Sequence, residues 1–159
     1  EHDLPVLVHT PHRDKVEGTR RTLELVAASG LPPERVLVDH LNEVTVDLVA
    51  ESGCWLGFSI YPDTKMDEQR MVRILGDRGL DRMIVNSAAD WGRSDPLKTA
   101  KTGQAMRDAG FGEDDVDRVL WRNPVAFYGQ SRRLLLDPID VDQTETFEGN
   151  SVLRGQRPA

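Results

Sequence analysis

The chain has 159 residues, 30% charged and 38% hydrophobic, with a formal net charge of −7. That is enough for one domain with a real core. The mixed acidic balance argues against an extended nucleic-acid surface, which needs clustered basic residues. No run approaches the roughly 20 apolar residues of a membrane span, and no signal-peptide pattern opens the chain, so the expectation is a cytoplasmic protein without a membrane partner.

Four strand–helix units are expected in succession. Pro5 to His9 reads as a continuous aliphatic strand of the kind buried on both faces. A helix over about Arg13 to Ser29 follows, with Gly30 just past its end. Val36 to His40 is the second strand, with Asn42 as N-cap of a helix running to Gly53. Cys54 to Ile60 is the third, and Cys54, the single cysteine, is expected as a reduced core thiol. Thr64 and Asp67 have capping-box spacing ahead of a helix carrying Met71, Val72, Ile74 and Leu75 to Gly79.

The fourth strand begins at Met83 and ends at Asn86 or Ser87. Asp95-Pro96 then reads as an N-cap with proline at the first helical position, opening a helix to Ala109 and Gly110. Two further helical pieces are expected, Glu113 to Trp121 and Pro124 to Gly129, the second capped by Asn123. Trp55, Trp121, Phe127 and Tyr128 are expected in the core. Residues 136–159 form a polar tail.

Repeated βα units imply a parallel sheet with right-handed crossovers. An open doubly wound sheet would carry a glycine-rich phosphate loop after a strand, and neither G-x-G-x-x-G nor G-x-x-x-x-G-K-[ST] occurs. The expectation is therefore an α/β fold in which residues 1–135 form half of a TIM (β/α)8 barrel. The chain lacks an initial methionine and starts near a strand, so it is expected to be a piece of a longer polypeptide.

In such a barrel the chemistry sits where strands end. His9 closes the first aliphatic run and His40 closes the second; Asp90 lies beyond the fourth. Two imidazoles and a carboxylate at one mouth suit Zn²⁺, Mn²⁺ or Fe²⁺. The carboxylate of Asp90 could ligate the metal or serve as general base. Asp39, next to His40, should point to the opposite face of an extended strand and is read as structural. Candidates for contacting a substrate are His12 and Arg13 after the first strand, and Trp91 and Arg93 beside Asp90. Lys15, Ser59 and Tyr61 are placed near the same mouth.

The order of these motifs resembles the carboxyl-terminal half of the TatD-like metal-dependent hydrolases, amidohydrolase-type barrels, over about Pro5 to Gly129. Val8-His9-Thr10-Pro11-His12-Arg13 is similar to the His-x-Arg context after that family's fifth strand. His40 matches the histidine after the sixth strand, and Asp90 in Ala89-Asp90-Trp91-Gly92 the aspartate after the eighth. Asn123 to Tyr128 resembles the closing helix. The family's His-x-His and its glutamate have no counterpart here, and Asn-Ser-Ala-Ala-Asp replaces the common Glu-Thr-Asp.

The resemblance implies one or two divalent ions and hydrolysis of an ester, amide or phosphodiester bond in a small-molecule or phosphodiester substrate. It also implies that a missing amino-terminal half-barrel is required, leaving this piece inactive alone. A non-catalytic module with structural histidines is the alternative.

Overall fold

A computed structural model describes residues 3–61, 66–87 and 95–136. Four parallel strands form one sheet: β1 (Val6–His9), β2 (Val36–Asp39), β3 (Trp55–Ile60) and β4 (Met83–Ser87), paired in that order. Helices alternate with them: α1 (Lys15–Ser29), α2 (Val46–Ala50), α3 (Glu68–Arg78) and α4 (Lys98–Asp108). After α4 come α5 (Glu113–Asp117), a π-helical turn (Arg118–Arg122) and α6 (Asn123–Tyr128). The strand order follows the chain without reversal, as along the wall of a barrel; a doubly wound sheet reverses at its switch point. The α/β reading with parallel βα units holds.

The register is set by facing pairs: Val6 with Val36, His9 with Asp39, Leu37 with Trp55, Leu56 with Met83 and Ser59 with Asn86. Alternation then sorts the side chains to two faces. Val36, Val38, Leu56, Phe58, Met83 and Val85 pack with Met71, Val72, Ile74, Leu75 and Met106 of α3 and α4 in the main core. On the other face Leu37 and Ile84 pack with Phe127 of α6 and with Trp55. The same face, further along, carries His9, Asp39, Ser59 and Asn86. That face is thus apolar at its amino end and polar at its carboxyl end, while the α3 and α4 face stays apolar throughout.

Several sequence expectations are corrected. The strand β1 is an edge of the sheet and is only partly buried, whereas β2 between two neighbours is buried throughout. Asn42 is not the N-cap of α2. Its carboxamide oxygen accepts from Val44 N and Thr45 Oγ1, forming a turn that delivers the chain to a helix starting at Val46. Asp67 is itself the N-cap of α3 and accepts from Arg70 N; Thr64 lies outside the described residues. Asp95 turns the chain through Leu97 N, and α4 starts only at Lys98.

Asn123 does not cap a separate helix. It sits inside a helical run from Glu113 to Tyr128, where Asn123 N donates to Arg118 O across the wide turn. Pro124 has no N–H to give and crowds the preceding turn, and a π turn just before it absorbs both defects. Phe127 is fully buried as expected and Trp55 half-buried, but Trp121 and Tyr128 are 55% and 42% exposed. Cys54 is a buried free thiol. The polar tail from Asp137 on lies outside the described residues, and among those described no helix is long and apolar enough to cross a membrane.

Candidate metal centre

The two histidines arrive at the carboxyl edge of the sheet by different routes. His9 is the last residue of β1, opposite Asp39 of β2. Thr10 ties the chain beyond it to β2, with Oγ1 donating to Asp39 O at 2.8 Å. His40 follows β2 in the left-handed region, φ 65°. A non-glycine residue there costs roughly 1–2 kcal/mol. Two bonds hold the conformation: His40 N donates to Asp39 Oδ1 at 2.7 Å, and Leu41 N donates to Gly57 O at 2.9 Å.

That backbone twist breaks the period-two alternation. Asp39 and His40 do not point to opposite faces; the Asp39 carboxylate comes within 3.6 Å of His40 Nδ1 and 3.8 Å of His9 Nδ1. The expectation for Asp39 is corrected on this point. Room for its carboxylate comes from Gly57 on β3, where a Cβ would lie 2.8 Å from Asp39 Oδ1 and 2.9 Å from Asp39 Cα.

His9 Nδ1 and His40 Nε2 are 2.6 Å apart. Two facing imidazole lone pairs repel unless a proton or a cation lies between them. Zinc–nitrogen bonds of about 2.0–2.1 Å at a tetrahedral angle would set such nitrogens roughly 3.3 Å apart, a small ring adjustment. One ligand atom from each of His9, Asp39 and His40 falls within a 4.8 Å group. The donor set of two imidazoles and a carboxylate suits Zn²⁺, Mn²⁺ or Fe²⁺, so these residues fit a divalent ion.

Behind the nitrogens lies a buried polar network. His40 Nδ1 is 2.8 Å from Ser59 Oγ. Ser59 Oγ donates toward Asp39 Oδ1 and Oδ2 at 3.3 and 3.4 Å, and Asn86 Nδ2 donates to Asp39 Oδ1 at 3.2 Å. The Asp39 side chain is 4% exposed and that of His40 11%, against 65% for His9. Burial, and next the charge of Asp39, hold the Tyr128 hydroxyl above its ordinary pKa of 10.0.

His12 stacks near His40, ring centroids 5.9 Å apart. Together with Lys15, Asn42, Ser59 and Met66 they line a cleft of about 190 Å³. Arg13 is not part of that wall; it borders a separate hollow with Asp14, Glu17 and Arg21. Tyr61, expected at the mouth, is buried. Asp90, Trp91 and Arg93 lie outside the described residues. Sequence reasoning passed over Asn86, although its parity with Ile84 one step earlier on β4 places it on the same face as Asp39.

No family model matches the chain. An uncharacterised metal-dependent hydrolase of Methanocaldococcus jannaschii is 23% identical over 128 residues, which are 80% of this chain and 50% of the relative. The TatD-like protein of Archaeoglobus fulgidus superposes with a TM-score of 0.61 at 27% identity, covering 79% of this chain and 47% of its own. The phosphotriesterase homology protein of Escherichia coli, solved with phosphate in its active site, shares the fold with a TM-score of 0.56 at 24% identity. That match covers 78% of this chain and 48% of the other. In sheet and sequence the chain resembles a TatD-like protein and a metal-dependent hydrolase, and it spans about half the length of the relatives it matches.

Proposed function

We propose that the full-length protein is a divalent-metal-dependent hydrolase of an ester, amide or phosphodiester bond. The supporting observation is the approach of His9 Nδ1 and His40 Nε2 to 2.6 Å at the ends of adjacent parallel strands. His9 and His40 would hold one or two ions, with Asp90 as a further ligand. When bound, the ion would supply a nucleophile at neutral pH by lowering the pKa of water. Asp90 would take the proton as general base. Asp39 offers an additional carboxylate, with Oδ2 turned toward His9.

His12 and Lys15 put donors on the wall of the cleft beside His40, which suits an anionic or strongly polar substrate group. Trp91 and Arg93, next to Asp90 in the sequence, would contact the substrate. Residues 1–135 would serve as the carboxyl-terminal half of the barrel, residues 136–159 as an appended polar tail, and an amino-terminal half would complete the ligand set. The half alone would then be inactive. Metal analysis and esterase, amidase and phosphodiesterase assays on the full-length protein test the proposal. His9→Ala, His40→Ala and Asp90→Ala should each lose metal and at least about 100-fold in turnover. Unchanged turnover in all three variants would end it.

A further inference from the structure

The hydrogen bonds behind His40 have only one consistent direction. His40 N–H and the Asn86 carboxamide N–H can only donate, and both end on Asp39 Oδ1, at 2.7 and 3.2 Å. Two N–H donors converging on one oxygen suit the carboxylate form, in which Asp39 acts only as an acceptor. Ser59 Oγ, 3.3 and 3.4 Å from the two carboxylate oxygens, interacts favourably with them only by donating its single O–H. If that hydroxyl turned toward His40 instead, its lone pairs would face the carboxylate. With the hydroxyl proton committed to Asp39, Ser59 meets His40 Nδ1, 2.8 Å away, as an acceptor. His40 Nδ1 must then carry hydrogen.

A neutral imidazole has one N–H, so Nε2 is left with its lone pair. Nε2 is the nitrogen that faces His9. Ser59 and Asp39 are each 3% exposed, so solvent has little access to replace either bond.

We infer that Ser59 is a positioning residue: its hydroxyl, backed by Asp39, fixes the tautomer and ring plane of His40 so that Nε2 is presented to a divalent cation. The use of that nitrogen rests on the function proposed above; the tautomer itself does not. Ser59 also borders the cleft beside His12 and Lys15, so positioning is read from the His40 tautomer and from metal affinity, not from substrate binding.

The test is nitrogen-15 NMR of histidine side chains in the full-length, metal-free protein, at a pH well above the ordinary imidazole value of about 6.5. His40 should be protonated at Nδ1 and bare at Nε2. In Ser59→Ala the Nε2–H form should grow to a comparable share, and the dissociation constants for Zn²⁺ and Mn²⁺ should rise about 10–100-fold. Ser59→Thr, which keeps the hydroxyl, should restore both readings. A wild-type His40 protonated at Nε2 would overturn the inference whatever the variants do. So would a folded Ser59→Ala with unaltered tautomer and affinity. If tautomer and affinity respond while no hydrolysis is found, the inference stands and the proposed activity falls.

Discussion

At the level of single residues, the site depends as much on what is absent as on what is present. Gly57 has no side chain where Asp39 needs space, and the two conflicting atoms include the Asp39 Cα, which cannot swing aside. Gly57→Ala should therefore push β2 and β3 apart locally, lower stability by about 1–3 kcal/mol and weaken metal binding together. Denaturant unfolding and metal titration on one preparation check both. His9 and His40 were legible in the sequence because each ends an aliphatic run at a predicted turn. The reach of Asp39 to the same place was not, since alternation assumes an extended backbone and His40 adopts φ 65°. Ser59 was visible as a polar strand end; its partner Asn86 was overlooked although the same parity applies.

Among the elements, the helical run after α4 is what anchors the sheet's second face. Asn123 Nδ2 donates to Leu80 O and Met83 O, both at 2.8 Å, pinning the entry of β4 to the π turn. Asn123→Ala leaves those carbonyls without that donor and should cost about 1–3 kcal/mol, read as a lower midpoint in thermal unfolding. The sequence located this run but split it at Pro124, because a proline usually opens a helix; only the packing against β4 explains why the chain continues through it.

Helix α3 is tied by paired contacts to α2 and to the turn that precedes α2. Arg70 holds Glu43 through Nε and Nη2, and Arg78 holds Asp47 in the same way. The Arg70 hydrogen bond keeps the Glu43 carboxyl below its ordinary 4.5. The folded state then binds this proton less readily than the unfolded chain. Its stabilisation is complete above about pH 4.5 and fades as pH falls through the lower folded value. Glu43→Gln should lower the neutral plateau slightly and flatten the acid limb, so that the two stability–pH curves converge at low pH. The pair is exposed to solvent, so added salt should shrink the difference.

For the molecule as a whole, the sheet is bounded by β1 and β4, and the face holding His9 is open enough to leave that ring 65% exposed. A divalent ion binding only the folded protein adds stability by mass action, about 2.7 kcal/mol at a hundredfold excess over its dissociation constant. Chelation of the full-length protein should lower the melting midpoint, and Zn²⁺ or Mn²⁺ should restore it. An unchanged midpoint in both steps would argue that the histidines hold no ion. The parallel βα order was readable from strand spacing and from the glycines that end α1 and α3, since each unit is local. Which face of the sheet receives α6 was not, because Phe127 meets Leu37 and Ile84 across long stretches of chain.

The left-handed backbone at position 40 offers a separate handle. Glycine accepts that conformation freely, so His40→Gly removes the ring while relaxing its support, leaving a vacancy shaped like imidazole next to Ser59. Free imidazole in the buffer should dock there and recover part of the cation affinity, whereas in His40→Ala, where the methyl group keeps the backbone penalty, recovery should be poorer. A small diffusible molecule would thus stand in for a side chain.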